Sequence, residues 1–202
     1  KRGTRGYYCE EGASAPLPCP RGTHQNAALE VMTGAGDCID CGVGTFCPVG
    51  SADAQPCAAG TYSAMPQQEA CTKCAPGTFQ DTGGATACKS CTDGYYCAEG
   101  AAAALPCAEG TYSGATDLAS AAQCTETDEG FYATAGSPAP TPCSPGTYSD
   151  VPKQATCTPC AAGSYQDAPG ATACEPCTPG HSCAEGAAAA LTCAEGTCPG
   201  AT

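Results

Sequence analysis

The residues in this chain that could do chemistry are its cysteines, 21 of 202. A thiol can be a nucleophile, a metal ligand or half of a disulfide, and spacing decides among these. Cys71-x2-Cys74-x13-Cys88-x2-Cys91 has the spacing of a zinc ribbon, and the pattern recurs from Cys157 to Cys177. The zinc reading must ignore regularly placed cysteines on either side and needs a reducing compartment. Disulfides are therefore the expectation, with no metal or other cofactor. The two histidines, His24 in RGTH and His181 in PGHSC, stand where sister segments carry an aromatic. Both read as framework replacements, and a Ser/His/Asp or Cys/His site would have to use one of them. No catalytic residue, and no enzyme, is expected. Asp81 and Asp167 lie in equivalent FQD and YQD turns, and Glu99 and Glu185 in AEG turns. Without a dense DxDxD loop these read as solvated turn carboxylates rather than calcium ligands.

The elements that must position the cysteines repeat. Cys57 to Cys91 reappears, shifted by 86 residues, as Cys143 to Cys177 with no gap. Each copy alternates a Gly-Thr-aromatic segment with a CxxC. Gly and Pro are too dense for helices. Short strands are expected at the GTY and GYYC segments, paired as hairpins. The Ala runs at 101–104 and 187–190 admit at most one helical turn. The repeated Tyr residues are expected to lie on neighbouring disulfides rather than form a ligand stripe. The units read as long repeats over 4–41, 42–74, 92–127 and 128–160, short repeats over 75–91 and 161–177, and a truncated repeat over 178–202.

Composition removes the alternative of a conventional core. Leu, Ile, Val and Phe together number 13 and Trp is absent. Cross-links must replace the core, which places the protein in an oxidising space, secreted or at the cell surface. The net charge of −13 argues against nucleic acid and anionic membranes. No apolar stretch approaches membrane-spanning length. The missing leader and Met point to a mature or excised piece.

The repeat constrains the pairing. Shifting Cys41 and Cys47 by 86 gives Thr127 and Ala133, so both members vanish together. That pairs Cys41–Cys47, Cys91–Cys97 and Cys177–Cys183. The others then pair in order: Cys19–Cys38, Cys57–Cys71, Cys74–Cys88, Cys107–Cys124, Cys143–Cys157 and Cys160–Cys174. Most loops are near 15 residues, each bridge contributing roughly 3 kcal/mol in the chain-entropy model. All links are local, and the expected fold is an elongated rod of small disulfide-rich repeats without a sizeable core. Cys9, Cys193 and Cys198 are left over. Either the chain is a window on a longer array, or Cys193 closes on Cys198, or Cys198 bridges to Cys9 of another copy.

The segment Gly136 to Pro142 alternates Pro with Ser, Ala and Thr. It reads either as a plain Pro-rich linker or as an O-glycosylated stretch involving Ser137, Pro138, Pro140, Thr141 and Pro142. In the second reading it resembles the hydroxyproline sites of algal and plant wall glycoproteins. Asn26 is the only Asn and has no sequon.

The motifs CxxGTYS at Cys57–Ser63, Cys107–Ser113 and Cys143–Ser149, with GATACxxC at Gly84–Cys91 and Gly170–Cys177, resemble the ephrin-receptor-like cysteine-rich repeats. These are similar in style to tumour-necrosis-factor-receptor modules. Such repeats occur in receptors, in matrix proteins and in large surface or mastigoneme-type glycoproteins of algae and protists. The resemblance implies an extracellular array. The expected function is a non-enzymatic segment of a stalk, filament or surface-hair glycoprotein. Its expected partners are copies of itself or other extracellular structural proteins, together with O-glycans. The competing expectation is a receptor or adhesion ectodomain, for which the long arm His24–Asp37 would be the variable site.

Overall fold

A computed structural model describes residues 5–193. Among these the chain forms eleven antiparallel hairpins, each strand two residues long, and no α-helix. It divides into two compact units, residues 5–91 with 97–104, and residues 92–96 with 105–193.

Six of the eleven hairpins begin at a turn that a Gly-Thr pair builds. In Ser144-Pro145-Gly146-Thr147 the Thr147 N–H donates to the Ser144 carbonyl at 3.0 Å, and Gly146 has φ +86°. This is the pattern of a type II turn, with Pro at the second position and Gly where φ must be positive. The Thr147 hydroxyl donates to the same carbonyl at 2.7 Å, which explains why Thr follows Gly. Thr61 and Thr78 repeat this bond at 2.7 Å on Ala58 and Ala75. After the turn, Thr61–Tyr62 pairs with Thr72–Lys73 in the first unit, and Thr147–Tyr148 with Thr158–Pro159 in the second.

Two-residue strands are too short to hold alone. Each unit solves this by using the free edge. In the first, Phe79 makes a parallel bridge to Ala101 in the following hairpin's loop, as His24 does to Ser51. In the second, Tyr112 bridges Ser137, Tyr132 bridges Gln154 and Tyr165 bridges Ala187. The Ala runs are therefore not helical. Ala101 and Ala187 are held extended, their carbonyls accepting from Gln80 and Gln166 at 3.1 Å. The short helical turns lie instead in the long arms, as 3-10 turns at Ala35–Asp37 and Ala121–Gln123.

Contacts also reach the second hairpin on. Gly60 lies so close to the Gly100 carbonyl that any Cβ would overlap it, and Gly146 stands against Gly186 in the same way. The interior is mostly sulfur. In the first unit Cys19, Cys41, Cys47, Cys57, Cys74, Cys91 and Cys97 are buried, with Tyr8 and Met32 against Cys19. In the second, Cys107, Cys143 and Cys160 are buried with Leu118. This is a fold of small disulfide-rich hairpin repeats.

Candidate functional site

The cysteines sit immediately after strands or before returning ones, where the hairpin geometry brings them together. Among the described residues these disulfides form: Cys19–Cys38, Cys41–Cys47, Cys57–Cys71, Cys74–Cys88, Cys91–Cys97, Cys107–Cys124, Cys143–Cys157, Cys160–Cys174 and Cys177–Cys183. Their Cα atoms lie between 5.7 and 6.2 Å apart, within the ordinary span of a disulfide. The sulfurs of the zinc-ribbon-like pattern are thus divided among three bridges. Cys9 is an exposed thiol whose N–H donates to the Met32 carbonyl at 3.0 Å. Cys193 is disulfide-bonded, and Cys198 lies outside the described residues.

The hairpin of Phe131–Tyr132 and Thr141–Pro142 has no bridge of its own. Its backbone frame is nevertheless kept. At the bonded site, Cys41 donates to Gly22 at 2.9 Å, Gly22 to Cys47 at 2.8 Å and Cys47 to Gln68 at 2.8 Å. At the bridgeless site, Thr127 donates to Gly110 at 3.0 Å, Gly110 to Ala133 at 2.8 Å and Ala133 to Gln154 at 3.0 Å. Thr127 and Ala133 are fully buried, and the Thr127 hydroxyl has no partner.

The candidate glycosylation segment belongs to this same hairpin. Ser137 is half-buried, its carbonyl accepting from Ser113 at 3.2 Å and its hydroxyl 3.2 Å from that of Thr134. Pro138 is exposed and Pro140 half-buried, while Thr141 and Pro142 are the exposed returning strand. The segment is a hairpin loop and strand, not a linker, because every loop in the array returns to pair with its own first strand.

Two glutamines that sequence reasoning passed over organise the short repeats. Buried Gln80 donates to the Ala87 carbonyl at 2.7 Å and accepts from the Thr82 hydroxyl at 3.0 Å. Gln166 donates to Ala173 at 2.8 Å and accepts from the Ala168 N–H at 2.9 Å. The recurrent Gln in FQD and YQD was the available signal. In the long arms a side chain caps each 3-10 turn. Asp37 accepts from the Thr33 N–H at 2.6 Å and the Gly34 N–H at 3.2 Å, which holds its pKa below the usual aspartate value. Gln123 accepts equivalently from Ala119 at 2.6 Å and Ser120 at 3.2 Å.

The histidines occupy strand positions. His24 pairs with Ile39, and its Nδ1 lies 3.0 Å from the Gln25 carbonyl. His181 pairs with Thr192, and its Nδ1 is 2.9 Å from the Thr178 hydroxyl. All five described cations meet a carboxylate: Arg5 with Asp53, Arg21 with Glu69, Lys73 with Glu99, Lys89 with Asp81 and Lys153 with Glu126. The Lys89 ammonium, 2.6 Å away, holds the Asp81 pKa down. In the second copy Glu175 replaces Lys89. The Tyr165 hydroxyl donates to it at 3.2 Å, which raises the phenol's pKa. Among the described residues no three His, Cys, Asp or Glu side chains converge as a metal site would require.

The family model described as tyrosine-protein kinase ephrin type A/B receptor-like matches residues 60–102 and 146–193. The two matches begin at equivalent positions of the internal repeat, Gly60 and Gly146. These two stretches are similar to ephrin-receptor-like repeats, and the many disulfides fit a cysteine-rich repeat array. No curated protein matches the chain. Disulfide density and repeat type together fit an extracellular domain.

Proposed function

We propose that this chain is a structural segment of an extracellular stalk, filament or surface-hair glycoprotein, and that it is not an enzyme. The observation that carries this reading is the repeated fastening. Hairpins of four strand residues are stapled by a disulfide and bridged edge to loop onto the next, so stability does not depend on a large core. Such a construction can be lengthened by adding hairpins. The partners proposed are copies of the chain or other extracellular structural proteins, with O-glycans on the partly exposed segment from Ser137 to Pro142. Electron microscopy of native material labelled with an antibody to this chain tests the proposal. Labelled filaments are expected; label on separate membrane-bound particles would overturn it.

A receptor or adhesion ectodomain is the second reading. It is favoured by the arm His24–Asp37, which exposes Leu29 and Val31, the latter at 66%. Deleting exposed apolar contacts with L29S/V31S would abolish ligand capture in that reading and leave filaments intact in the first.

A further inference from the structure

A groove of about 250 Å³ lies in the second unit, lined by Tyr132, Ser144, Thr147, Thr156 and Cys157. Four of these five side chains end in a hydroxyl and none carries a charge. Thr147 uses its hydroxyl in the turn bond to Ser144 described above. Among the described residues the hydroxyls of Tyr132, Ser144 and Thr156 make no hydrogen bond. They are free for a ligand.

The array itself supplies the control. Positions equivalent to Ser144, three residues before the turn threonine, carry Ala58, Ala75 and Ala161 in sister hairpins. Positions equivalent to Thr156, just before the closing cysteine, carry Ala70, Ala87 and Ala173. The residue equivalent to Tyr132 in the preceding copy is Phe46. Ser144 and Thr156 thus carry hydroxyls where these sister hairpins have Ala, and both line one groove with Tyr132, whose position is Tyr in most sister hairpins, Tyr62, Tyr112 and Tyr148 among them. The turn framework does not need those hydroxyls, because the sister hairpins form the same turns and strands without them. Tyr132 comes from the hairpin that lacks its bridge, while Ser144, Thr147, Thr156 and Cys157 belong to the next one, which Cys143–Cys157 closes.

We propose that this groove binds a neutral sugar residue. The half-buried Tyr132 ring offers a flat apolar face with a polar tip. The surrounding hydroxyls can each donate and accept, matching a ligand that presents hydroxyls around an apolar ring. Anionic sugars are disfavoured. No cation lines the groove, the chain carries a net charge of −13, and Asp128 and Glu129 line a second groove of the same unit. The sugar comes either from the protein's own glycans or from a neighbouring polymer.

The full chain, made oxidised and without glycans, is titrated with neutral oligosaccharides of arabinose, galactose, mannose and glucose, and with an oligoglucuronate. NMR of the Tyr132 ring and the Thr147 and Thr156 methyl groups is the readout. At least one neutral sugar should shift these signals saturably. The variant Y132F/S144A/T156A, which restores the residues of the preceding copy, should bind about tenfold or more weakly. The reciprocal variant F46Y/A58S/A70T should gain a second saturable site. Native protein that binds added sugar only after glycosidase treatment would identify its own glycan as the occupant. Equal binding before and after would identify an external polymer. Absence of saturable binding across the panel, tighter binding of the oligoglucuronate, unchanged binding by the triple variant, or a glycan covalently attached to Ser144 or Thr156 would each overturn the proposal.

Discussion

Asp37 and Gln123 occupy equivalent positions and cap equivalent 3-10 turns, but only one of them titrates. The folded pKa of Asp37 is lowered, first by the Thr33 amide and then by that of Gly34. Its contribution is therefore complete above the ordinary aspartate pKa and is lost as pH falls through the lowered folded value. Acidification should loosen the 24–37 arm while leaving the arm at 113–123 unchanged. Amide exchange at Thr33 and Gly34, compared with Ala119 and Ser120, measures this. The substitution D37N should keep the cap and remove the pH dependence. Retained acid sensitivity in D37N would assign the effect to another group. The capping role was not legible in the sequence, since Asp37 precedes a cysteine and reads as an ordinary polar arm residue. The His24 and His181 positions were legible, because each replaces a ring in a repeated frame.

At the scale of the hairpin, the missing bridge and the crowded glycines make separate claims. The backbone at Thr127 and Ala133 holds the same hydrogen bonds as at Cys41 and Cys47. The double substitution T127C/A133C should therefore close a bridge without rearrangement. It also removes the buried, unpartnered Thr127 hydroxyl. The expected gain is about 2 kcal/mol, because the loop is short. Non-reducing mass mapping should find the new bond in the double variant and a free thiol in each single one. Gly146 and Gly163 both have φ +86°, but an added Cβ strikes the Gly186 carbonyl at Gly146 and meets open space at Gly163. Substituting Ala at Gly163 should cost about 1–2 kcal/mol, the left-handed penalty alone. At Gly146 the cost should be clearly larger, measured by urea unfolding. Equal costs would remove the second-neighbour contact from the account. Hairpins at GTY and GYYC could be read from turn chemistry, which is local. The second-neighbour approach could not, since it depends on how one glycine meets a carbonyl 40 residues later.

At the scale of the whole molecule, the net charge of −13 governs how copies meet. The described cations are all paired, so the excess of carboxylates faces solvent without compensation. Copies of the chain must repel at low ionic strength and approach more readily once the screening length falls to about 8 Å, near 0.15 M salt. Sedimentation should show self-association increasing with salt over that range. Association that weakens with salt would mean that paired surface charges, not apolar or backbone contacts, hold the copies together. The disulfide-rich class was readable from cysteine count and from the poverty of Leu, Ile, Val and Phe.

The placement of the bridges also decides what a single broken peptide bond does to the thread. A cut between Cys57 and Cys71, or between Cys160 and Cys174, leaves both new ends covalently tied. Most of the described chain is enclosed in this way, so wear at one point opens a loop without parting the strand. The span from Thr125 to Pro142 is the long exception, lying between Cys124 and Cys143 with no bridge across it. There a nick divides the molecule into two pieces even under oxidising conditions. A dilute protease should therefore release fragments without reductant when it cuts in this span or in other unbridged segments such as 5–18, 48–56 and 98–106, and not when it cuts inside a bridged loop. Fragments released from within a bridged loop before reduction would contradict the pairing. The region around Ala133 is therefore where a single cut parts the chain rather than merely opening a loop.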